Sequence, residues 1–158
     1  MKRAIKFHRR STALHCWHTF LSLPRQAPVS WHRARLREEL VERRAAVTSI
    51  SQLSETADVV FTISRARFYG HHFQSHMLIV VPAGGLLYMV AKFSLRWAFY
   101  RIVAYACGAR GRKLKDVREV FNPRKTGKVD EVAGRHGLDP RICRIWAKRV
   151  KAFWPLLP

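Results

Sequence analysis

The chain has 158 residues, with 30 Lys and Arg against 10 Asp and Glu and a formal net charge of +20. That length holds one domain or one compact unit with tails, and a self-repelling charge of this size implies a polyanionic partner: nucleic acid, ribosomal RNA or an anionic membrane surface. Hydrophobic residues at 48% exclude compositional disorder, while three well-separated cysteines, Cys16, Cys107 and Cys143, with no CxxC pair, argue against a disulfide framework or a cysteine-rich zinc site and fit a reducing compartment.

The acidic residues are unevenly placed: none precedes Glu38 and none lies between Asp58 and Asp116. The opening MKRAIKFHRRSTALHCWHTFLSLPR is therefore purely cationic. Phe7, Leu14, Trp17 and Leu21 share one face of a helix. A basic, hydroxyl-bearing, acid-free amphipathic segment has the character of a mitochondrial transit peptide, and Arg25 two residues before Ala27 suits a removal site. Residues 1–29 are accordingly expected to be an address or a peripheral segment. His15, His18 and Thr19 interrupt the apolar centre that a secretory signal needs.

Residues 30–70 predict an amphipathic helical pair. In WHRARLREELVERRAAV, Arg35 and Glu39, and Glu39 and Arg43, stand four apart and can pair across a turn, with Leu36, Leu40 and Val47 as the apolar face. In the next segment Ser49 and Gln52 make a capping box. Ile50, Leu53, Ala57, Val60, Phe61 and Phe68 make a helical stripe, and Gly70 is a stop. The stretch LSETADVVFTISRARFYG, with the later WAFYR and the terminal WPLLP, resembles small basic proteins of unassigned function from filamentous fungi; the resemblance implies no activity or site. His72 and His76 would share a helix face, but no carboxylate or cysteine lies near them in sequence, so a loop or interface cluster is expected rather than a metal site.

Residues 77–108, MLIVVPAGGLLYMVAKFSLRWAFYRIVAYACG, form the apolar segment. Its uncharged first part, 77–91, rises only about 22 Å as a helix, short of the roughly 30 Å hydrocarbon core. Extension to Trp97 reaches the length and admits Lys92 and Arg96, which can snorkel to one interface with Trp97 in the headgroup belt. The expectation is a membrane-embedded helix with Lys92, Arg96 and Trp97 at the interface. The alternative is a core helix bent at Pro82–Gly85, with Lys92 and Arg96 pointing outward.

Residues 110–155 predict a basic three-helix tail. Lys113–Phe121 is a short helix stopped by Asn122–Pro123. A second helix ends at Gly137, and Asp139 caps a third with Pro140 at its first position. The stretch VDEVAGRHGLDPRICRIWAKR, residues 129–149, resembles the helix-turn-helix of regulators and transposases: Ala133 at the close helix contact, Gly137 in the turn, Leu138 after it, and Cys143 and Trp146 facing the core. Gly134 inside the first helix and Pro140 early in the second depart from that pattern. On the last helix Cys143, Trp146, Val150 and Phe153 form one stripe; Arg141, Arg144, Lys148 and Lys151 form the other and are the candidate contacts to nucleic acid or another anion.

No Gly-rich phosphate loop, GxSxG, HExxH or carboxylate pair is present. Cys143, a nucleophile candidate with His136 as base, sits on an apolar stripe. The sequence therefore predicts an all-α, non-enzymatic chain of about five to six helices, with no cofactor, no metal and no small-molecule substrate. The first expectation is an accessory protein of the mitochondrial inner membrane, with membrane lipid as a partner and a matrix-facing tail that touches ribosome, nucleic acid (RNA or DNA) or anionic lipid. The alternative is a soluble helix-turn-helix nucleic-acid-binding protein, nuclear or organellar, whose apolar segment is core.

Overall fold

The computed structural model describes residues 12–22, 28–73, 83–111, 120 and 125–153. Within them the chain is all-α, with six helices and no strand: α1 (Thr12–Leu21), α2 (Val29–Ala45), α3 (Ser49–Phe68), α4 (Ala83–Ala106), α5 (Thr126–Arg135) and α6 (Pro140–Ala152). Two compact units divide it, Met1–Val90 and Ala91–Pro158.

In the first unit α3 is the central element, and both α1 and α2 pack on it. Its start is fixed by Thr48, whose hydroxyl accepts from the Ser51 main-chain N–H while the Ser51 side chain accepts from Thr48 N–H. The reciprocal box thus lies one residue before the Ser49–Gln52 pair expected from sequence, because the pair nearest the chain reversal meets the orphan N–H groups. Ala57, Val60 and Phe61 of the expected stripe are buried, joined by Val59 and Ala66; Ile50 and Leu53 are exposed at the helix start. On α2 Leu36 is buried and Leu40 half-buried, but Val47 lies beyond the helix end and is exposed. Arg35 pairs with Glu38 at 2.6 Å and with Glu39, as expected for one of the two ion pairs. Arg43 instead donates to the Thr56 hydroxyl at 3.0 Å.

The helical face expected near the N-terminus is present in α1, where Leu21 is buried and Leu14 and Trp17 are half-buried. His18 is also buried and shares a 3.0 Å hydrogen bond with the Ser64 hydroxyl of α3. Phe7 and the Arg25–Ala27 site lie outside the described residues.

In the second unit Leu95, Phe99, Tyr100, Val103 and Ala104 of α4 meet Val129, Val132 and Ala133 of α5 and Cys143, Trp146, Ala147 and Val150 of α6. Asp139 caps α6 as expected: its Oδ1 accepts from Arg141 N–H at 2.7 Å and Ile142 N–H at 3.4 Å, and Pro140 at the first turn removes a donor that would lack a partner. Asp139→Ala is expected to lower the stability of this unit by about 1 kcal/mol. Urea denaturation followed by circular dichroism measures it, and an unchanged midpoint would show that the cap is dispensable. The helix expected over Lys113–Phe121 falls largely outside the described residues.

The membrane-embedded helix finds no support: among the described residues no helix is long and apolar enough to cross a membrane. Residues 77–82 of the proposed span lie outside them. Both readings of Lys92 and Arg96 also need correction. Neither snorkels and neither points outward; they are 2% and 6% exposed. Both cations lie near the Phe93 ring, at 5.9 and 5.3 Å from its centre. Trp97 is half-buried with the Arg101 guanidinium 4.6 Å from its ring centre. Aromatic faces offer these cations an attraction that hydropathy alone does not register.

Candidate nucleic-acid interface

The expected pair of C-terminal helices is built as the spacing implies. α5 ends in a turn at His136–Gly137, and α6 begins after Asp139. Gly137 takes φ +65°, the left-handed region where a side chain is strained, so the reversal needs glycine there. The N–H of Leu138 then donates to Ala133 O at 2.9 Å, closing the end of α5. Ala133 is fully buried, as a close approach of two helices requires. Val129, Val132 and Ala133 face Cys143 and Ala147 across the pair.

That packing settles which side of α6 looks outward. Arg141, Arg144, Lys148 and Lys151 are all exposed, so the helix brings the four candidate cations to one side. They are not equivalent. Arg144 Nε stands 3.1 Å from Asp130 Oδ1 of α5, an ion pair that ties α6 to its neighbour. The other carboxylate of α5, Glu131, is engaged by Lys128 and Arg135, each at 3.1 Å. Among the described residues no carboxylate pairs with Arg141, Lys148 or Lys151. Lys92, Arg96 and Trp97, the other residues singled out from sequence, belong to α4 and contribute nothing to this face.

Three residues of the face were missed by the sequence reading. Ile145 lies at the middle of the outward side, 53% exposed, one turn from Arg141, Lys148 and Arg149. Ile142 is also exposed. Arg149 adds a fifth cation, 5.1 Å from the half-buried Trp146 ring, which orients its guanidinium. The signal was available: with Cys143 and Ala147 fixed inward, a 3.6-residue period places Ile145 opposite them. Phe153, by contrast, does not join the buried stripe. The helix ends at Ala152, and Phe153 caps it at 84% exposure.

The groups with reactive potential lie elsewhere or are quiet. Cys143 is buried, which pushes its thiol up to about 12; the adjacent Cys107 thiol, in hydrogen-bond contact, adds to this. A thiol so raised is a poor nucleophile. Sequence separation concealed this thiol pair. In the first unit Glu39, Glu42 and Glu55 place carboxylate oxygens within 4.8 Å of one another. Burial, opposed by Arg35 and reinforced by Asp58, Glu42 and Glu38, raises the Glu39 carboxyl to about 7. Arg35 engages one Glu39 oxygen, while the other, Oε2, is buried without a hydrogen-bond partner. His72 is exposed and non-helical, and His76 lies outside the described residues.

No family model, curated protein or solved structure matches this chain.

Proposed function

We propose that the chain is a non-enzymatic nucleic-acid-binding protein that lays α6 against duplex DNA. The observation that carries the reading is the outward face of α6, where Ile145 is ringed by Arg141, Lys148 and Arg149. Unlike most of the chain's other exposed apolar side chains, Ile145 has cations one turn away on either side. That arrangement suits a DNA-reading helix, because an apolar side chain meets a thymine methyl while the surrounding cations meet phosphates and guanine edges. An α-helix about 10–12 Å across also suits the roughly 12 Å major groove of B-DNA, whereas the deep, narrow groove of A-form RNA shuts it out.

Anionic lipid would attract the same cations. An interfacial helix, however, needs a broad apolar face with its cations held at the margins. On α6 the cations stand beside the centre of the outward face, and the broad apolar side is committed to α4 and α5. Fluorescence anisotropy with a random-sequence duplex tests the reading. With about four phosphates engaged, log Kd is expected to rise with log salt at a slope of about 3.6. Absence of binding at low salt, or preference for phosphatidylserine vesicles over the duplex, would overturn it.

A further inference from the structure

His32 of α2 is the group in the first unit that its surroundings leave least explained. It is fully buried, 0% exposed, and neither ring nitrogen has a hydrogen-bond partner. Burying an imidazole with both polar atoms unmet is costly, and native folds retain such a group where something else meets it. The ring is walled by Trp31 at 5.0 Å and Tyr69 at 5.7 Å between ring centres. On its remaining side stands a second imidazole. His71, half-buried just past the end of α3, has its ring centre 5.3 Å away and tilted by 52°. Its position is set by its main-chain N–H, which donates to Ala66 O at 2.9 Å.

We propose that His32 and His71 are the two protein ligands of a zinc(II) site, completed by water on the half-exposed His71 side. The separation of the ring centres is compatible with a shared zinc. A tetrahedral zinc about 2.0–2.1 Å from each ligating nitrogen lies roughly 3.2 Å from each ring centre, which sets the centres roughly 5.2 Å apart. Burial, Arg65 and His71 together lower the His32 imidazole to about 4, so at neutral pH the ring is already in the form that binds metal. Arg65, whose guanidinium lies 5.3 Å from the Trp31 ring centre and 5.7 Å from that of Tyr69, opposes a metal ion as it opposes a proton. With two protein ligands and that opposing charge, the affinity falls below that of a zinc site with a full ligand set, to about micromolar. This site is independent of the nucleic-acid reading, since it lies in the other unit.

The test is zinc titration of the full chain by calorimetry, with thermal unfolding at 100 μM zinc alongside. One zinc per chain and a rise in Tm of about 5–11 °C are expected. His71→Ala abolishes both, and His72→Ala leaves both intact. Copper(II) substitution in the unmutated chain gives a check that needs no variant to fold: its electron paramagnetic resonance spectrum shows hyperfine coupling to two imidazole nitrogens. No zinc uptake, uptake that survives His71→Ala, or a copper spectrum without two coupled imidazoles overturns the proposal.

Discussion

Replacing Arg141, Lys148 and Lys151 together with alanine is expected to weaken binding to duplex DNA about a hundredfold at moderate salt. Each side chain is exposed on the outward face of α6. Removing one cation from a phosphate contributes about 1 kcal/mol or more, and three such losses compound to about that factor. The salt slope should flatten by about 2.7, the signature of three lost phosphate contacts rather than a damaged fold. Because none of the three belongs to the core shared by α4, α5 and α6, the variant's circular dichroism and Tm should match those of the unmutated chain. Arg144→Ala is the informative comparison. Its guanidinium is engaged by Asp130, so its loss should cost less binding than that of Arg141 and more stability. Anisotropy across a salt series measures all of this; a triple variant that binds as well as the unmutated chain would remove α6 from the interface.

The parts of this face that were legible from sequence are those where local chemistry and period agree. Asp139, Pro140 and Gly137 punctuate the chain in a way that only a turn between two helices satisfies, and the structure places all three as expected. The same is true of Cys143 and Trp146, whose spacing alone turns them inward. Phe153 failed because a helical phase has no meaning past the last turn. α4 is the helix expected, but its surroundings were not legible, for a different reason. A run such as Leu86–Ala91 looks the same to a hydropathy scale whether lipid or protein lies beside it, and the burial of Lys92 and Arg96 depends on neighbours that the local sequence does not specify. The His32–His71 pair is the extreme case. Most of α2 and all of α3 separate the residues along the chain, and only the antiparallel return of α3 on α2 brings them together.

That return also governs how the first unit answers to acid. Stability of the metal-free chain, measured in chelator, is expected to fall as pH drops from 6.5 towards 4. Burial, followed by the Arg65 guanidinium and a neighbouring imidazole (His15 for one, His71 for the other), lowers both His18 and His32 from 6.5 to about 4. The unfolded chain therefore takes up protons from pH 6.5 downward, which the folded chain refuses until about 4. Stability contributed by the neutral rings is complete above 6.5, is lost through that window and is gone below it. Each tenfold difference in proton affinity is about 1.4 kcal/mol, so two buried imidazoles weigh heavily on a domain of ordinary stability. Glu39 works in the opposite sense. Its carboxyl is raised from 4.5 to about 7, so its contribution is complete below 4.5 and is lost as pH climbs to 7. Between 4.5 and 6.5 two rings oppose one carboxyl and the rings prevail, which puts the maximum near pH 6.5. Glu39→Gln should then hold stability level above 6.5 and steepen the fall below it; Arg35 keeps Glu38 as a partner in that variant. Urea midpoints across pH 4–8 decide the matter: a flat profile between 6.5 and 4 would mean that the two imidazoles are hydrated in solution, and the packing of α1 and α2 on α3 would have to be looser than described.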